Sequence, residues 1–119
     1  MVKTVIATLR VIGFHSWPDA PAAVSYLAAP HRHEFLIRVE ARVEDDNRQV
    51  EFHMLKREAK IALDKAFSSA PFDILADEYD FGLRSCEMIA QELQAAMRDP
   101  VSAIEVWEDQ ECGARVEFV

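Results

Sequence analysis

The sequence predicts an α+β fold: an antiparallel four-stranded sheet carrying two helices on one face. Three observations lead there. Pro30 to Glu44, PHRHEFLIRVEARVE, alternates with a period of two over its whole length. The middle of the chain changes to a helical period twice. The last stretch, from Val101 onward, returns to strand-like composition around a turn. The expected order is strand, strand, helix, helix, strand, strand.

The first strand is placed at Thr4 to His15, with Val5, Ala7, Leu9, Val11 and His15 on one face. Gly13 interrupts that row, which predicts a bulge or bend just before His15. Ser16 to Pro30 follows, rich in Pro and Ala and carrying Trp17 and Tyr26. A connection this long and apolar is expected to pack over the body of the protein. The second strand then puts His31, His33, Phe35, Ile37, Val39, Ala41 and Val43 on its apolar face. The opposite face carries Arg32, Glu34, Arg38, Glu40, Arg42 and Glu44, charges of alternating sign facing solvent or a neighbour.

Asp45 to Arg48 has the composition of a turn, after which Gln49 to Phe52 is expected to return as a short strand. From about His53 to Phe67 the stripe Phe52, Leu55, Ala59, Ala62 and Ala66, widened by Ile61 and Leu63, marks a helix. Ser68 to Arg84 has no clear period and reads as an irregular excursion. Ser85 reads as an N-cap, with Glu87 favourably placed in the first turn. The helix it opens turns Ile89, Leu93 and Ala96 inward and is stopped by Pro100. Val101 to Glu108 and Ala114 to Val119 close the fold as strands, joined by a turn around Gln110 to Gly113.

At 119 residues, half of them hydrophobic, the chain is expected to form one domain, 1–119, without needing disulfides. Cys86 and Cys112, with no signal peptide in view, suggest free thiols and a cytoplasmic location. A net charge of −8 repels phosphate backbones and argues against nucleic acid as a direct partner. No apolar run approaches the ~20 residues that would cross a membrane.

The residues with most chemistry in them are histidines. His31 and His33 point the same way from the start of one strand, and His15 ends its expected neighbour. Three imidazoles meeting at a point, with a fourth position open, describe a catalytic zinc site. The second nitrogen of each ring then needs a carboxylate or carbonyl partner. The plainer alternative is that an H-x-H spacing arises by chance and His33 is a half-buried polar residue.

His15, PHRHEF, VEFHMLK, LDK, SCEMIA and IEVWED, in that order and over nearly the whole chain, resemble the 6-pyruvoyltetrahydropterin synthase and 6-carboxytetrahydropterin synthase family. That family has a histidine on the first strand, then C-x-x-x-H-G-H, then LDH, T-x-E-N and a V-x-E segment. The resemblance implies the tunnelling fold (β-β-α-α-β-β) and a Zn2+ ion held by His15, His31 and His33. It implies a pterin-like ring gripped by Glu108, since a carboxylate can accept two parallel N–H bonds. It matches Glu87 to the glutamate of T-x-E-N, with Ser85 in place of Thr and Met88 in place of Asn. Asp64 matches the aspartate of LDH and Lys65 its histidine, making these two the catalytic candidates. It further implies a small heterocyclic ligand as partner, lyase chemistry of pterin or deazapurine biosynthesis, and homo-oligomers, trimers or stacked hexamers, with sites between subunits.

Two departures bear on activity. The family's cysteine falls at Leu27 and its second histidine at Lys65. In the family these residues, with the aspartate, move protons on the substrate side chain. Leucine cannot, and lysine can only where desolvation or neighbouring cations depress its pKa. Cys86, in the first turn of the second helix, is a possible substitute thiol or an inward packing residue. Two readings follow: a divergent zinc enzyme with altered or lost lyase activity, or a non-catalytic binding or assembly protein that keeps the fold.

Overall fold

In a computed structural model, which describes residues 1–69 and 78–119, the two longest strands pair antiparallel along their entire length. They are β1 (Lys3–His15) and β2 (His31–Val43), and their register runs from Lys3 opposite Val43 to His15 opposite His31. Thirteen residues each, alternating as they do, leave little freedom. A slip by one position would turn Phe35, Ile37 and Val39, all fully buried, onto the charged face.

The remaining elements are α1 (Phe52–Ala66), β3 (Ser68–Ser69), β4 (Glu78–Gly82), α2 (Cys86–Ala96), β5 (Ala103–Glu108) and β6 (Cys112–Glu117). The sheet order is β3-β4-β1-β2-β5-β6. The α+β class and the helix-bearing sheet are as the sequence predicts, but the sheet is mixed. Five strands of five or more residues, plus the two-residue β3, replace the expected four antiparallel ones. β4 lies parallel to β1, with Ile12 opposite Glu78 and His15 opposite Gly82. Its alternation, Tyr79 and Phe81 inward, spans too few residues to stand out from the irregular excursion expected there. The part of that excursion at 70–77, with Pro71, lies outside the described residues.

Gly13 explains itself through β4. A Cβ there would come within 2.3 Å of the Phe81 ring and 2.9 Å of the Phe35 ring, so only glycine lets Phe81 seat across β1. The bulge falls one residue later than its sequence signal, between Phe14 and His15 on the β4 side.

The strand expected at Gln49 to Phe52 does not form. Glu51 instead caps α1, its carboxylate accepting the backbone N–H groups of His53 and Met54 at 2.9 and 3.2 Å. α1 buries Leu55, Ala59, Ala62 and Leu63, whereas Phe52 and Ile61 stay exposed. α2 starts behind Ser85, whose hydroxyl accepts Met88 N–H at 3.2 Å, and buries Cys86, Ile89, Ala90 and Leu93. Both helices pack against one core with Leu9, Val11, Phe35, Ile37, Val39, Ile104 and Val106 of the sheet.

The other sheet face carries ions. Arg115 holds Glu40 through two bonds of 2.6 and 3.0 Å and Glu105 through one of 2.7 Å, and Arg38 reaches Glu40 at 3.1 Å. Among the described residues no helix is long and apolar enough to cross a membrane.

Candidate metal and ligand site

Strand register alone gathers the site. His15 faces His31 directly across β1–β2, and His33 is two residues further along the same face. β5 adds Glu108 opposite Phe35, on that same face, and β6 adds Cys112 opposite Glu108. One end of the sheet therefore presents three imidazoles, a carboxylate and a thiol in a row.

The imidazoles converge. Their ring centroids are 4.5 Å (His15–His31), 4.9 Å (His31–His33) and 5.5 Å (His15–His33) apart. One nitrogen from each lies within 4.8 Å of the others, a spacing that could hold a metal ion. In every ring it is Nδ1 that is engaged by an oxygen: the Arg84 carbonyl for His15 at 2.9 Å, the Ala29 carbonyl for His31 at 2.9 Å, the Asp109 carboxylate for His33 at 2.6 Å. Because carbonyls and carboxylates only accept, Nδ1 of each ring is the donor there, and Nε2 is left as the atom that can take a metal. Nε2 of His15 and of His33 is buried and makes no well-formed hydrogen bond, with a Glu108 oxygen 3.0 and 3.5 Å away respectively. A buried polar atom left unsatisfied costs about 1–3 kcal/mol. A cation bound between them would remove that cost. Neutral imidazoles oriented by oxygen acceptors are the donor set zinc uses, so the residues fit that ion.

Glu108 lies against two of the three rings. Its Oε1 is 3.0 Å from His15 Nε2 and its Oε2 is 3.5 Å from His33 Nε2. His15 holds the Glu108 carboxyl below its ordinary pKa, with burial opposing and the charges of all three histidines assisting. Conversely, burial works against His15 becoming charged, but Glu108 and the Arg84 carbonyl prevail and raise its pKa.

The partner of His33 comes from a strained turn. Asp109 and Gln110, which link β5 to β6, both have positive φ, at 51° and 59°. Aspartate tolerates this conformation better than most residues. Here it is pinned on both sides: its N–H donates to the Glu34 carbonyl at 2.8 Å, and its Oδ1 accepts Glu34 N–H at 3.0 Å. Asp109 did not emerge from the sequence because its role depends on this turn, one residue earlier than the expected Gln110 to Gly113.

Beside the histidines lies a cavity of about 560 Å³, bounded by His15, His31, Trp17, Leu27, Ser85, Cys86, Glu87, Glu108 and Cys112 among others. That volume is in the range that holds a small ring ligand. Trp17 and Leu27 reach it because the connection folds back on itself through a short 3-10 helix, Ala22–Leu27, with Trp17 N–H bonded to the Leu27 carbonyl at 2.9 Å. Tyr26, by contrast, is exposed. Of the two thiols, Cys86 is buried and its pKa is pushed up to about 12, by burial first and then by Glu108 and Glu87. It is a packing residue and a poor base. Cys112 is exposed at the cavity's edge, a position the sequence did not flag.

Asp64 and Lys65 do not border this cavity. Asp64 instead accepts bonds from Tyr79 Oη and from Lys60, the latter at 2.9 Å. Burial opposes its ionisation, but these two partners prevail and lower its pKa. Ser85, Glu87, Glu108 and the three histidines are thus brought together, while the two catalytic candidates are not.

No family model and no curated protein matches this sequence. Solved structures do match it. The structure of Caenorhabditis elegans 6-pyruvoyl tetrahydropterin synthase superposes with a TM-score of 0.66 at 14% identity, covering 100% of this chain and 97% of that one. An uncharacterized protein from Wolinella succinogenes superposes at 0.67 with 13% identity, covering 98% of each chain. Identity this low speaks to the fold, and the fold is that of 6-pyruvoyl tetrahydropterin synthase.

Proposed function

We propose that this tunnelling-fold chain binds one zinc ion through His15, His31 and His33 and holds a pterin- or purine-like heterocycle in the adjoining cavity. The convergence of one ring nitrogen from each of three histidines, with Nδ1 of every ring held by an oxygen acceptor, supports the metal half of that reading. When bound, zinc supplies Lewis-acid polarisation of oxygens on the ligand. The chain's own residues do the rest. Glu108, kept ionised by its histidine neighbours, accepts the paired N–H groups of an aminopyrimidinone edge. Ser85 and Glu87, at the start of α2, offer a hydroxyl and a second carboxylate on the cavity wall. Trp17 and Leu27 give the ring an apolar side.

Proton transfer is the weak part of this machinery. Leu27 stands in the cavity where the family's cysteine would act, and Cys86 is held as a neutral thiol. Asp64 and Lys65 can serve such a cavity only from a neighbouring subunit, which a trimeric or hexameric ring would provide. General acid–base assistance is typically worth about 10²–10⁴-fold, so turnover of dihydroneopterin triphosphate should be trace at most. The second reading, a non-catalytic binding or assembly protein, is favoured by the same two observations at Leu27 and Cys86.

The test is zinc content and ring affinity on protein purified without a histidine tag. About one zinc per chain is expected, lost in His15→Ala, His31→Ala or His33→Ala, with pterin binding abolished by Glu108→Ala. Folded protein that takes up no zinc refutes the metal half, and turnover at an ordinary enzyme's rate refutes the inactive site. Light scattering that returns a single-chain mass refutes the ring.

A further inference from the structure

We infer that Glu108 is itself a metal ligand, so that in the absence of a bound heterocycle the site is closed by three histidines and one carboxylate rather than left open. The inference rests on the reading of the three histidines as a metal site. Zinc bonds to imidazole nitrogen and carboxylate oxygen are about 2.0–2.2 Å long, which in a tetrahedron sets neighbouring ligand atoms roughly 3.3–3.6 Å apart. The Glu108 oxygens lie 3.0 and 3.5 Å from the Nε2 atoms of His15 and His33, the second within that separation and the first slightly short of it. With Nδ1 of His15 and of His33 each held by an oxygen, it is the Nε2 side of both rings that meets the carboxylate, and a cation seated there would be shared by all three groups.

The backbone supports the same role. Glu108 is the last residue of β5, locked opposite Phe35 on one side and Cys112 on the other. The next residue, Asp109, orients His33. Two consecutive residues of one strand end therefore act on the cluster, one at its centre and one behind a ring. A carboxylate engaged with the metal is not free for the N–H edge of a ring, so heterocycle binding must draw Glu108 off and open the fourth position as it does so. The metal is shielded while the cavity is empty.

Cobalt(II) in place of zinc gives the readout, because the intensity of its visible bands follows coordination number and ligand set. Wild type, Glu108→Gln and Glu111→Gln are loaded with cobalt after folding is checked by circular dichroism, and zinc affinity is measured by competition with a chelator. Glu111→Gln removes the same charge three residues away, on the exposed turn. Glu108→Gln should weaken zinc roughly tenfold or more and change the cobalt spectrum, whereas Glu111→Gln should do neither. If Glu108→Gln and Glu111→Gln both match wild type in affinity and spectrum, Glu108 is no ligand and the inference is wrong while the three-histidine site stands. If wild type binds neither metal, both readings fall. A Glu108→Gln that does not fold is replaced by Glu108→Asp, whose shorter arm should also alter the spectrum, and an unaltered spectrum overturns the inference.

Discussion

Nδ1 of His33 lies 2.6 Å from Oδ2 of Asp109, and the same carboxylate holds the backbone N–H of Glu34 through its other oxygen at 3.0 Å. A single side chain thus fixes the tautomer of one imidazole and the path of the strand that carries it. Asp109→Asn, which can keep the bond to Glu34 but loses the charge, should lower zinc affinity about 10–100-fold with little change in melting temperature. Chelator competition checks this. Unchanged affinity would mean the His33 ring is oriented without Asp109.

The two thiols should differ sharply in reactivity. Cys112 is exposed, whereas Cys86 is buried with its pKa pushed up to about 12. At pH 8 a disulfide-exchange reagent should label one thiol per folded chain quickly and the second only after denaturation. Cys112→Ser should remove the fast phase. Two fast phases in wild type would contradict the burial of Cys86.

Gly13→Ala should destabilise the fold by about 1–3 kcal/mol, the usual cost of overfilling a core, because its methyl would press into Phe81. Urea unfolding of Gly13→Ala, Phe81→Leu and the double variant forms the check. The double variant should be less destabilised than the sum of the singles. Strict additivity would place the cause elsewhere.

Glu40 gives a pH-dependent contribution. Its bonds to Arg115 outweigh burial and hold its pKa below the ordinary value of 4.5. The ion network is therefore fully stabilising above that ordinary value, and its contribution is lost as pH falls through the depressed one. Glu40→Gln should melt several degrees below wild type at pH 7, and the difference should shrink steadily below about pH 4. A difference that does not vary with pH would exclude this origin.

Much of the central sheet was legible because alternation over thirteen residues admits one register. The facing of His15, His31 and His33 follows from that alternation and from pairing. Helix α2 was legible through Ser85, a cap of the usual kind. Glu51 capped α1 without such a signature, so Gln49 to Phe52 read as a strand. β4 escaped notice because parallel pairing beside β1 is a tertiary event and its alternation covers only Tyr79 and Phe81 inward. In the site, Glu108 was legible through its motif. Asp109 and the Arg84 carbonyl were not, since a turn with two positive φ angles and a backbone oxygen leave no side-chain pattern. The helix positions Phe52 and Ile61 show the limit of period alone: both satisfy the stripe, and both face outward.

The bonds that orient the histidines join distant parts of the chain: 69 residues separate His15 from Arg84, and 76 separate His33 from Asp109. Closing loops of that length is entropically costly and slow relative to local pairing. A partly folded chain with only β1 and β2 paired has three histidines near one another but no carbonyl or carboxylate behind two of them. Such a chain should hold zinc weakly and release it readily. A zinc ion bound at this site would therefore not be expected to template the fold. It would stabilise the finished molecule by mass action, and added zinc should slow unfolding far more than it speeds refolding.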